Sequence, residues 1–173
     1  MQRWFAASGR PCVVIGRLHH GVQLPCVYPD GAATARHAAG LLWARGHREF
    51  GYLQADFTSL GDRLASMAFV GEAHRLGASA RIVTHAPDVP GVRRALMELF
   101  AIRRRPSGFL LGSPEHALTA LCHLLVAGIR MPAEAALICI WDGAFLEYTL
   151  PAVARYRTDG EKWETRSPRY CPT

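Results

Sequence analysis

The sequence predicts an α/β fold, a mainly parallel sheet with helices on both faces. Three observations carry it. Short apolar runs alternate with longer stretches of helical period, the rhythm of successive strand–helix units. The strand-like runs are apolar throughout rather than every second residue, as strands covered on both faces require. Glycine closes three of the helical stretches, at Gly46, Gly77 and Gly128, where a helix end favours a left-handed residue.

In chain order, Pro11-Cys12-Val13-Val14-Ile15-Gly16 reads as a buried strand and Leu24-Pro25-Cys26-Val27-Tyr28 as a second. Pro29-Asp30-Gly31 breaks the run, with Asp30 a candidate helix cap. A helix over about 32–45 follows, with Ala35, Ala38, Ala39 and Leu42 on its inner face. Phe50 to Gln54 is a strand. The next helix runs from Gly61 to Leu76 and is expected to turn Leu64, Met67, Ala68 and Gly71 inward. Arg81 to Thr84 is a strand, then Val89 to Arg104 a helix burying Val92, Leu96, Leu99 and Phe100. Gly108 to Leu111 is a strand. Pro114 opens a helix in its first turn, where proline is tolerated, and Leu118, Leu121, Leu124 and Leu125 are expected to give it its buried stripe. Ala136 to Ile140 is the next strand, and Pro151 to Tyr156 a linker strand. Residues 160–173 carry no apolar periodicity and read as a loosely ordered tail.

The chain has 173 residues, half of them apolar and a fifth charged, which is the composition of one globular domain rather than a disordered or fibrous chain. No apolar run reaches the roughly 18 residues of a membrane span, and residues 1–8 lack the apolar core of a secretory leader, so a cytoplasmic location is expected. The net charge of +6 is spread out. Its one tight run, Arg103-Arg104-Arg105, is expected at a helix end, where cations suit the dipole. The five cysteines, Cys12, Cys26, Cys122, Cys139 and Cys171, have no paired spacing, so neither a disulfide framework nor a zinc site is expected.

Chemistry in such sheets sits just beyond the carboxyl ends of the strands. The segments to watch are therefore 28–31, 55–63, 112–116 and 141–145. No glycine-rich phosphate loop is present, and Gly112-Ser113-Pro114 lacks the second glycine of a nucleophile elbow. His116 and His123 lie seven apart on one helix without a third ligand, and His19-His20, His37 and His47 stand alone. No nucleophile, base and oxyanion donor assemble, so no enzyme, metal or cofactor is expected.

Four stretches in order resemble the LacI/GalR family of transcription regulators. The first runs from Leu24-Pro25-Cys26-Val27-Tyr28-Pro29-Asp30-Gly31 through the alanine-rich helix to Gly46-His47-Arg48-Glu49-Phe50. The second is Arg63 with Phe69. The third is Arg105-Pro106-Ser107-Gly108-Phe109-Leu110-Leu111, followed by Ala117-Leu118. The fourth runs from Gly128-Ile129-Arg130-Met131-Pro132 through Ile138-Cys139-Ile140-Trp141-Asp142 to Pro151. The resemblance spans about residues 11–159.

The resemblance implies the effector-binding, periplasmic-binding-protein-like (type I) domain of such a repressor, mostly its carboxyl-terminal subdomain. On that reading residues 11–45 are a remnant of the amino-terminal subdomain, 46–150 the carboxyl-terminal subdomain and 151–159 a crossover. It implies a small-molecule effector, a sugar or related compound, and a homodimer in the intact protein. DNA is reached only through a helix-turn-helix head that this stretch does not contain. Asp30, Arg63, Ser113, Trp141 and Asp142 are the expected ligand-binding residues. The chain departs from the family pattern where Ser113 and Pro114 replace an Asn-Asp pair, where Trp141 replaces the first of two aspartates, and where Gly31 replaces an asparagine. A transport-type sugar-binding protein and a small α/β enzyme are the alternative classes.

Overall fold

The computed structural model describes residues 1–16, 18–56 and 59–157. The expected tail at 160–173 lies outside these. The described chain forms two compact units, divided between Asp30 and Gly31. The first holds a short helix α1 (Gln2–Ser8) and two short parallel strands, β1 (Val14–Ile15) and β2 (Cys26–Val27), in register Val14 to Cys26. Helix α1 was not visible in the sequence. It has no side-chain cap at its start, no buried residue, and ends on Gly9 in the left-handed region.

The second unit, Gly31–Arg157, is the sheet the apolar runs predicted. Its elements are α2 (Gly31–Ala44), β3 (Glu49–Ala55), α3 (Leu60–Arg75), β4 (Ser79–His85), α4 (Val89–Ala101), β5 (Gly108–Leu111), α5 (Pro114–Val126), β6 (Ala136–Cys139), a 3-10 turn over Ala144–Tyr148 and β7 (Ala154–Arg155). Five parallel strands lie in the order β4-β3-β5-β6-β7.

Side chains alternate across the sheet, as the pleat demands. Phe50, Tyr52, Leu110 and Ile138 point to one face and pack with the alanines of α2 and with Ala65, Phe69 and Ala73 of α3. Leu53, Phe109, Leu111, Leu137 and Cys139 point to the other and pack with Val92, Leu96 and Leu99 of α4 and with Ala117, Leu121 and Leu124 of α5. Each strand run is apolar because both of its faces are covered. The edge strand β4 buries only Val83 and His85.

Three helices differ from expectation. In α5 Leu125 is exposed, and Ala117 and Ala120 are buried beside Leu121 and Leu124. In α3 the inward residues are Ala65, Ser66, Phe69 and Ala73, while Met67 is 67% exposed. Ala65 and Ala73, eight residues apart, let α3 approach the alanine face of α2, and Phe69 between them fills the space over Phe50 and Tyr52. Helix α4 stops at Ala101, with Ile102 already extended, so the three arginines fall beyond it rather than in its last turn. Pro106 disfavours helical backbone at Arg105, and the chain must straighten to enter β5 at Gly108. Gly51 shows how close the other layer lies: a Cβ there would meet Leu99 Cδ1 at 2.9 Å and Phe109 Cδ1 at 3.1 Å.

Candidate functional site

The chain leaves β3 through α3 to β4 on one side, then returns through α4 to β5 on the other. That reversal opens the sheet between the carboxyl ends of β3 and β5, where ligands settle in open α/β folds. A cleft of about 260 Å³ lies there, a modest small-molecule site. Its walls are Tyr52 to Ala55 at the end of β3, Asp62 of α3, Pro87 after β4, Gly112, Ser113 and His116 at the β5–α5 turn, and Trp141 after β6.

The helix starts around the cleft are firmly capped. Ser59 and Asp62 form a reciprocal capping box at α3: the Asp62 amide donates to Ser59 Oγ (3.2 Å), and the Ser59 amide donates to Asp62 Oδ2 (3.1 Å). Ser59 Oγ also donates to Asp62 Oδ2 at 2.8 Å. Ser113 caps α5, accepting from the His116 amide at 3.4 Å and donating to Glu115 Oε2 at 2.6 Å. That bond holds the Glu115 carboxyl below its ordinary range. Gly143 permits the approach of the β6 exit to α5, since a Cβ there would sit 2.5 Å from Pro114 Cβ.

Two imidazoles flank the wall. His85, at the end of β4, is 5% exposed, and its Nδ1 donates to the Ala86 carbonyl at 2.8 Å. The His116 ring meets it edge-on, centroids 4.8 Å apart. Burial, and then the neighbouring His85, push the His116 pKa below the usual histidine value. Beneath the wall, burial pushes the Cys139 thiol up to about 12, so it is a packed thiol rather than a thiolate. Among the described residues no group of three or more His, Cys, Asp or Glu is placed to hold a metal ion.

Of the residues expected from the sequence, Ser113 and Trp141 stand together on the cleft wall. Asp142, the next residue after Trp141, is turned to Arg155, whose Nε donates to Asp142 Oδ1 at 2.7 Å. Arg155 is 12% exposed on its side chain and also reaches Glu147 at 3.3 Å, and Arg157 approaches Asp142 Oδ2 at 3.8 Å. Arg63 is exposed on α3 and is not among the residues lining the cleft; its neighbour Asp62 is. Asp30 belongs to the first unit.

Tyr52, Gln54, Asp62 and Pro87 line the cleft and are not singled out by the sequence; His116 lines it too, and the sequence pairs it with His123 on one helix face without a third ligand. Two signals for them exist in the sequence. Gln54 is a polar residue at the exit of an apolar run, and Ser59-Leu60-Gly61-Asp62 has the spacing of a capping box.

Residues 39–163 match the family described as periplasmic binding protein-like domain. The chain is 28% identical over 166 residues to the HTH-type transcriptional regulator GntR of Pseudomonas aeruginosa, a match covering 92% of this chain and 48% of that protein. It thus spans about half the length of this curated relative. Among solved structures, a PurR family transcriptional regulator from Vibrio parahaemolyticus superimposes with a TM-score of 0.84 at 16% identity, over 96% of this chain and 64% of that one. A LacI family transcriptional regulator from Arthrobacter sp. FB24, solved in complex with lactose, superimposes with a TM-score of 0.78 at 21% identity, over 95% and 64%. At these identities the structural likeness shows a shared fold.

Proposed function

Because this chain belongs to the periplasmic binding protein-like domain family, we propose that it is the ligand-sensing module of a LacI-type transcriptional regulator. Its effector is a sugar or a related small molecule, and effector binding controls DNA contact by a head elsewhere in the intact protein. The observation that carries this reading is the cleft at the strand reversal, lined by an indole, a carboxylate and hydroxyls. A flat aromatic face with a few fixed polar groups is what a polyhydroxyl ligand needs. The lactose bound to the Arthrobacter relative and the regulator from Pseudomonas aeruginosa support the same class. Relatives of this kind are transcription regulators, which supports a sensing rather than a catalytic role.

Trp141 supplies the aromatic face, and Ser113 and Asp62 the polar contacts from this wall. Asp142 positions: its bond to Arg155 ties the exit of β6 to β7 and so fixes the peptide that carries Trp141. Asp30 and Arg63 enter as candidates from sequence, and Asp30→Ala and Arg63→Ala in the titrations below test them. Regulation follows from linkage, because an effector that prefers one arrangement of the intact regulator shifts DNA binding by its differential affinity. The intact protein is proposed to be cytoplasmic and homodimeric.

Titration calorimetry of the full chain against lactose, galactose, glucose, ribose and glucuronate tests the reading. Saturable heat with at least one sugar, lost in Trp141→Ala, is the expected result. Equal heats from both proteins contradict the site.

A further inference from the structure

Among the described residues, three buried side-chain atoms have no hydrogen-bond partner: Tyr52 Oη, His85 Nε2 and His123 Nε2. His123 lies in the groove between α4 and α5, on the far face from Tyr52. His85 sits behind His116. Of the three residues, only Tyr52 belongs to the cleft wall.

Tyr52 is 1% exposed and packs edge-on to Phe69, ring centroids 5.8 Å apart, with Phe50 also on that ring. Its ring neighbours are apolar, and a phenylalanine would fill the same space; the Asp62 carboxylate is near enough to push the phenol's pKa up, after burial, but does not hydrogen-bond it. The hydroxyl is therefore not explained by packing. A buried hydroxyl without a partner destabilises the free protein, because it gave up water and received nothing. Such an atom at a binding cleft is accounted for when a ligand supplies the missing partner.

We infer that Tyr52 is a specificity-determining residue of the cleft, its hydroxyl held in reserve for an oxygen of the bound effector. This inference rests on the sensing reading. It adds a recognition point on β3, a strand from which no ligand contact was expected. Gln54 and Asp62 line the same cleft as Tyr52. Molecules that end at the level of Trp141 and Ser113 leave the phenol unpaired, and they are discriminated against on that account.

The test is Tyr52→Phe, which removes one oxygen and keeps the ring, compared with wild type in the full chain. Two readouts are taken: the melting temperature without ligand, and calorimetric affinity for the five sugars above. The expected pair of results is opposite in sign. The free variant melts higher by about 2–4 °C, and affinity for the sugar that binds wild type best falls by roughly tenfold. A lower melting temperature for the free variant overturns the inference, since the hydroxyl would then be satisfied already. A sugar that binds both proteins equally overturns the inference and leaves the sensing reading standing. Wild-type protein that binds none of the five overturns both.

Discussion

Replacing Asp62 separates its two duties. The carboxylate takes two hydrogen bonds from Ser59, at 3.1 and 2.8 Å, and sits in the first turn of α3. In Asp62→Ala the Ser59 amide and hydroxyl lose that acceptor, while the reverse bond to the residue-62 amide survives. The capping contribution lost is about 1 kcal/mol. The missing charge at the helix start adds a few tenths, discounted because the site is partly open to water. The sum, about 1–1.5 kcal/mol, lowers the melting temperature by about 3–6 °C for a unit of this size. Asp62→Asn keeps an acceptor oxygen and loses only the charge term, so it melts within about 2 °C of wild type. Binding follows a different order. A charge-assisted bond to a sugar hydroxyl is worth about 1.5–3 kcal/mol, so Asp62→Ala loses roughly 10–100-fold in affinity, while Asp62→Asn, which keeps a neutral acceptor about half as strong, loses roughly 3–10-fold. Thermal melting and calorimetry on the three proteins check this. A variant pair that melts as described but binds sugar like wild type would refute the role of Asp62 in the cleft and leave it a helix cap only.

Other outcomes follow from the same geometry. Leu110→Ala, in the fully buried center of the sheet, is expected to cost about 2–5 kcal/mol by chemical denaturation; a loss under about 1 kcal/mol would contradict the two-sided packing. The pKa values of His116 and His47 are both lowered, chiefly by burial, with Arg45 and Arg48 adding to the effect at His47. The unfolded chain therefore takes up protons first, so stability is complete above the unfolded value near 6.5 and is lost as the pH falls below it. The double variant His47→Gln, His116→Gln should flatten that slope below a pH of about 6.5, and an unchanged slope would sink the assignment. Arg155→Met should free Asp142 and weaken sugar binding without touching the cleft itself; a wild-type affinity would show that Asp142 positions nothing.

Much of the fold was legible because punctuation and period agree. Strand β5 begins at Gly108 and ends at Leu111 as its apolar run does, and α5 begins at Pro114 with Ser113 as its cap. The inner face of α2 was legible because Ala35, Ala38, Ala39 and Leu42 repeat at helical spacing. The inner face of α3 was not, because size rather than hydrophobicity decided it: Ala65 and Ala73 face inward so that α2 can come close, and Met67 is left outside. Strand order is a tertiary property that no local pattern encodes. In the site, Ser113 and Trp141 were visible because each follows a strand. Tyr52 was not, since inside an apolar run its hydroxyl gives no periodic signal. The Asp142–Arg155 bond was hidden too, because it joins residues of two different strand exits.

The most direct test of the sensing cleft is hydrogen–deuterium exchange of the full chain, with and without a saturating sugar identified by calorimetry. Slowed exchange is expected in peptides covering Tyr52–Ala55, the first turn of α3 at Asp62, Gly112–His116 and Trp141, with the base of α4 and α5 unchanged. Protection confined to other segments, with these four unaltered, would contradict it.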